Sequence, residues 1–223
     1  PDYKTHFRNE LFHIVRNISV LSLVVFLLLF AFISNGSYMD IGLLSLLLVN
    51  LTGAYIGYLL VLKQLKIQSD YADRLCSLFK HSDCNNILDS KAAKLFGLIG
   101  WSEIGLGYFI SNVAILSIFP FLATSLLLIN LFSLPFTIWS VWYQKFKARQ
   151  WCPLCLFSVL LLWMIFLVGI ISDNLRFFVM NVAFVDIAVL CCLYVVSILI
   201  INMLIPVIAR GNKMEDVQYE INS

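Results

Sequence analysis

Charge is what this sequence has least of. Only 13% of its 223 residues are Asp, Glu, Lys or Arg, against roughly 25% in an ordinary soluble domain, while 61% are hydrophobic and the mean hydropathy is +0.91. That excludes a water-soluble globule. Excess charge of either sign is lacking too. The net charge is +2, and the basic residues are scattered over several polar segments rather than gathered in a stripe interleaved with aromatics, so a nucleic-acid surface is excluded. Six cysteines in this length are too few for a small secreted scaffold held by disulfides. No basic leader with a small-residue cleavage site precedes the first apolar run, and the chain opens on Pro1, which reads as an excerpt or a processed product. Internal repeats and low-complexity tracts are absent.

What is present is a series of long uncharged runs. A helix crossing about 30 Å of hydrocarbon needs about 20 apolar residues, because lipid offers no partner for an open backbone. Ile18 to Ile33 is a run of 16 and Ile41 to Leu62 a run of 22, with the turn signal Asn35-Gly36-Ser37 between them. Ile104 to Gln144 holds 41 residues without a charge, about 60 Å as helix, and is read as two crossings folded at Pro120, the later one containing Pro135. Trp151 to Ser172 is a fifth run. Phe177 to Ala209, whose one charge is Asp186, is a sixth. The expected fold is an all-α polytopic membrane bundle of about six transmembrane helices.

Six spans place the polar segments 1–17, 63–95, 143–150 and 210–223 on one side of the membrane. That side carries fourteen Lys and Arg residues, against Arg176 alone on the other. By the positive-inside rule the polar segments would then be cytoplasmic.

The cysteines pull the other way. Four of them, Cys76, Cys84, Cys152 and Cys155, belong to the polar-segment side, and Cys191 and Cys192 lie deep in the last run. In Trp151-Cys152-Pro153-Leu154-Cys155 the basic segment turns into a helix, and Pro153 suits the first helical position, which makes Cys152 the N-cap. A sulfur there faces free N–H groups and the positive end of the helix dipole, which favour its anionic, nucleophilic form. Cys155, less than one turn deeper, can close a disulfide with Cys152 and meet a lipid-soluble oxidant. The same Cys-x-x-Cys also fits half of a zinc knuckle or two inert thiols. Seven residues between Cys76 and Cys84 are too many for a second knuckle, so an apolar bundle with two cysteine pairs on one side favours redox chemistry. Adjacent Cys191 and Cys192 point to different helix faces and read as inert packing.

Cys76-x7-Cys84, Ser90 six residues on, Phe96-Gly97 leading into a span, and Cys152-x-x-Cys155 opening a later span form a pattern that resembles the vitamin K epoxide reductase (VKOR) family from about Ile41 to Ile171. The quinone-reducing DsbB-like bacterial proteins carry their cysteine pairs in the reverse order. The resemblance implies a four-helix catalytic core, placed at 41–172, with an extra tail and helix at 1–40 and a further helix and tail at 173–223. It implies a membrane thiol:quinone oxidoreductase that supports disulfide formation. Cys152 and Cys155 would be the active pair with Cys155 nearest the quinone, Cys84 would exchange with Cys152, and Cys76 would take electrons from a thioredoxin-like protein or fused domain. Ser90 on a capping segment and Asn112 on the third span would donate hydrogen bonds to the quinone, ubiquinone or menaquinone.

In vertebrate members a Tyr stands four residues after the second cysteine of the pair. Here the position is Val159, so the resemblance leaves vitamin K epoxide turnover and anticoagulant sensitivity open. The implied location is a bacterial inner membrane with the cysteine loops periplasmic, against the positive-inside count. Glu103, Asp173 and Asp186 are the acids near or within the bilayer, with Asp186 the deepest and Asn181 or Asn202 its expected partners. Trp101, Trp139, Trp142, Trp151, Tyr108 and Tyr143 fit an aromatic belt, and Trp101 could also stack at a quinone mouth. His81 is a candidate local base. The rival reading is a non-enzymatic membrane anchor or transport subunit with structural disulfides; a zinc-binding membrane protein is the third.

Overall fold

The computed structural model describes residues 16, 19, 22–67, 70–77, 84, 94–95, 99–172 and 184–222. Within them the bundle is built from α1 (Ser22–Ser34), α2 (Ile41–Gln64), α4 (Trp101–Ile118), α5 (Ala123–Trp142), α6 (Pro153–Ile171) and α7 (Phe184–Asn222). A short α3 (Asp70–Cys76) and a two-residue hairpin, β1 (Lys94–Leu95) against β2 (Ile99–Gly100), order parts of the long segment after α2. The hairpin is a small departure from an otherwise all-helical fold. Among the described residues, five helices are long and apolar enough to cross a membrane, and α1 is a shorter apolar helix. The described part of the last run is α7, of which Phe184–Leu204 is long and apolar enough to span; residues 177–183, where the sequence reading starts the run, lie outside the described residues.

Local chemistry sets the ends. The Asp40 carboxylate accepts the N–H groups of Gly42 and Leu43 at 2.7 and 3.2 Å, capping α2. Phe119 and Pro120 break the 41-residue uncharged run, and a 3-10 turn (Pro120–Leu122) leads into α5. Pro135 lies inside α5, and on either side of it the Ser133 and Thr137 hydroxyls donate to the carbonyls of Asn130 and Leu134, so both hydroxyls are satisfied within the helix.

The core is α2 packed on α4 and α6, with α5 against α6, and α7 against α4. Small residues bring α2 and α4 together. A Cβ on Gly57 would lie 3.0 Å from the Leu106 Cα, and one on Gly53 would enter the Phe109 ring, as expected where association in lipid depends on close packing. One end of the bundle gathers Asn35, whose amide donates to the Ser117 and Ile118 carbonyls, and Gly42, which abuts Ser172. The opposite end gathers the start of α4, the end of α5 and the start of α6. All four cysteines of the two expected pairs lie at that end.

Candidate functional site

Cys152 is the N-cap of α6 with Pro153 at the first helical position, and its sulfur accepts the Cys155 N–H at 3.4 Å. Cys76, the last residue of α3, is joined by a disulfide to Cys84. Because α3 packs on both α2 and α6, and Lys63 of α2 pairs with Asp73 of α3, the segment carrying this disulfide is held over the start of α6. The Cys84 and Cys152 sulfurs are 3.6 Å apart. Cys84 and Cys152 are buried, whereas Cys76 and Cys155 are partly exposed. The four sulfurs therefore run in sequence: an accessible outer atom, two buried atoms in contact, and an inner atom bordering a cavity.

That cavity, about 400 Å³, lies among α2, α4, α5 and α6 and has Cys155 in its wall. Its size is within the range of small-molecule sites, about 300–1,000 Å³. Aromatic rings form one side: Trp101 lies 4.2 Å from Phe136, Phe136 5.4 Å from Trp139, and Trp139 5.6 Å from Tyr143, centroid to centroid. Polar groups are few and include Tyr108, Thr137 and Gln144. Thr137 accepts the Trp163 indole N–H, and Tyr108 accepts the Asn130 amide at 3.2 Å. An apolar slot with flat walls and a few donors suits a planar, uncharged ring.

A model of the vitamin K epoxide reductase family matches residues 44–170, more than half of the chain. The chain belongs to the vitamin K epoxide reductase family. Membership makes it an integral membrane protein and implies thiol–disulfide oxidoreductase activity of the kind associated with quinones. No curated protein and no solved structure matches it.

Of the residues expected in this VKOR site, the structure brings Cys84, Cys152 and Cys155 together and bonds Cys76 to Cys84. A four-thiolate zinc centre is incompatible with that bond. Trp101 and Val159 line the cavity. Ser90, His81, Asp173 and Asn181 lie outside the described residues.

Asn112 does not line the cavity. Its amide NH2 donates to the Asn50 side-chain oxygen Oδ1 at 2.7 Å and its own side-chain oxygen accepts the Tyr194 hydroxyl, so both of its functions are spent tying α2, α4 and α7 together. Asp186 lies near the first described residues of α7 and is partly exposed. Cys191 and Cys192 are exposed on α7 instead of packed.

Glu103, expected at an interface, is in the first turn of α4 but only 5% exposed; it accepts the Gln64 amide at 2.8 Å, and Gln64 in turn accepts the Ser102 hydroxyl. Sequence reasoning missed Gln144, Tyr108 as a cavity residue, and the Gln64 cluster. The available signal was polarity within an uncharged run: Gln144 closes the 41-residue stretch as its last residue.

Proposed function

We propose that this VKOR protein is a membrane thiol:quinone oxidoreductase that takes electrons from a thioredoxin-like dithiol, on a separate protein or a fused domain, and delivers them to a quinone in the cavity beside Cys155. The observation that carries the reading is the 3.6 Å contact between the Cys84 and Cys152 sulfurs, with Cys155 in the cavity wall. Residues 41–172 form the catalytic core in this reading, flanked by the segments 1–40 and 173–223. Ser90 is retained as a donor to the quinone.

The relay balances as follows. A partner thiolate attacks the accessible Cys76 sulfur, breaking the Cys76–Cys84 bond and releasing the Cys84 thiolate. Cys84 attacks Cys152 of an oxidised Cys152–Cys155 pair, freeing Cys155 as a thiolate. The second partner thiol resolves its mixed disulfide with Cys76, and Cys76 then attacks Cys84, which restores the outer disulfide and leaves Cys152 and Cys155 reduced. The net result is one dithiol oxidised outside and one formed inside. The structure corresponds to this last state, with the outer pair bonded and the inner pair free. A quinone supplies a two-electron, two-proton sink, and closing the Cys152–Cys155 bond releases the two electrons it takes. Cys152 is held for that closure by the start of α6, where the Cys155 N–H steadies its sulfur.

A dithiol relay has a lasting product only outside a reducing compartment. This reading therefore places the cysteine-bearing end on the periplasmic side of a bacterial inner membrane, and the sulfur chemistry outweighs the Lys and Arg excess at that end. The test is turnover. Purified full chain supplied with dithiothreitol and a short-chain ubiquinone or menaquinone analogue should form one hydroquinone per dithiol oxidised, with activity abolished by Cys155→Ala. No quinone reduction by folded protein, with disulfides that resist mild reductant, would support the structural-anchor alternative instead.

A further inference from the structure

Gln144 is a fully buried amide whose surroundings satisfy only half of it. It sits where α5 widens into a single π-helical stretch, Tyr143–Ala148, a distortion frequent at functional sites. Its main chain is held firmly: the Gln144 carbonyl accepts the N–H groups of Arg149, which adopts a left-handed conformation (φ 53°), and of Gln150. Its side chain is anchored as well, since Oε1 accepts the Cys152 backbone N–H at 2.9 Å.

That bond settles which way the amide points. A backbone N–H is only a donor, so the atom facing it must be the carboxamide oxygen and the NH2 must lie on the other side. The side chain is 2% exposed, borders the cavity, and its NH2 has no partner among the described residues. An unmatched donor in an apolar slot costs free energy unless something in the slot accepts from it.

We propose that the Gln144 NH2 is the hydrogen-bond donor that holds a carbonyl oxygen of the electron acceptor, so that one carboxamide joins the acceptor to the backbone of the cysteine that exchanges with Cys84. The inference rests on the reading of the cavity as a quinone site. A quinone carbonyl only accepts hydrogen bonds, which is the complement Gln144 requires. With its ring against Trp101, Phe136 and Trp139 and one oxygen on Gln144, the acceptor lies in the cavity that Cys155 borders. The donor also becomes more favourable as that oxygen gains electron density during reduction, so it assists the transfer as well as the binding. The prolonged hold on Gln144, through three backbone N–H groups, means that the donor is in place before the acceptor arrives.

The test uses the full chain with dithiothreitol and a short-chain menaquinone analogue, comparing wild type with Gln144→Leu and Gln144→Met. Three quantities are read: the quinone KM, the rate at which dithiothreitol reduces the Cys76–Cys84 bond, and the infrared C=O stretch of carbonyl-labelled quinone in the bound state. Loss of the neutral hydrogen bond to the quinone should raise the quinone KM about five- to tenfold; the Cys152 N–H also loses its Gln144 acceptor, and the outer-disulfide rate reads any effect of that second loss. The stretch should move toward its frequency in apolar solvent, with the outer-disulfide reduction rate within twofold of wild type. If one variant does not fold, the other carries the measurement. An unchanged KM and an unshifted stretch would overturn the proposal, as would variants that slow outer-disulfide reduction as much as quinone turnover, since Gln144 would then act only by shaping the start of α6. A wild-type protein that reduces no quinone would instead refute the cavity reading itself and the assignment with it.

Discussion

Removing the first and last members of the relay, Cys76 and Cys155, should leave Cys84 and Cys152 to bond to each other. In the double variant Cys76→Ala/Cys155→Ala the remaining sulfurs start 3.6 Å apart, and a disulfide needs about 2.05 Å, so about 1.5 Å of approach suffices. Both sulfurs are buried, which shields them from competing small thiols. Even an effective molarity of about 1 M, far below the values of about 10⁵ M or more reached by well-aligned groups, exceeds 10 mM glutathione by about a hundredfold. Mild oxidation in glutathione buffer should therefore give a Cys84–Cys152 bond in most molecules, detected by digestion without reductant and mass spectrometry of the linked peptides. The single variant Cys155→Ala should yield the same adduct in part, because Cys152 can attack Cys84 and release Cys76, no Cys155 is there to resolve the bond from the inner side, and the released Cys76 thiolate can reverse the step. A folded double variant that keeps two free thiols, or collects glutathione on both, would refute the relay geometry.

Asn112→Leu leaves the Asn50 side-chain oxygen and the Tyr194 hydroxyl without their partner and should cost about 1–2 kcal/mol of stability, read as a lower unfolding temperature in detergent. The quinone KM should stay within twofold; a raised KM with unchanged stability would put Asn112 back on the acceptor. Orientation is open to labelling with a membrane-impermeant maleimide, using exposed positions at opposite ends of the bundle. Lys147→Cys, beside the start of α6, should react from the periplasmic side, and Met39→Cys, in the turn between α1 and α2, from the cytoplasmic side. The reverse pattern would favour the positive-inside count over the sulfur argument.

Much of this protein is written in one dimension. Uncharged runs bounded by charge, with a break at Pro120, mark spanning helices because hydrocarbon tolerates neither exposed charge nor open backbone. The N-cap role of Cys152 follows from Pro153, since capping depends on immediate neighbours. What no run of letters contains is which residues meet across the bundle. The approach of residue 84 to residue 152 is decided by the packing of α3 on α2 and α6. The helix rotations that turn Asn112 toward α2 and α7 and leave Tyr108 facing the cavity are set by contacts such as Gly57 on Leu106. Because the runs are apolar on nearly every face, hydropathy alone cannot say which side of a helix points inward. Gln144 makes the division plain: its polarity is visible at the end of the 41-residue run, but its role depends on a π-turn and on a backbone N–H eight residues later, and only the folded chain brings those together.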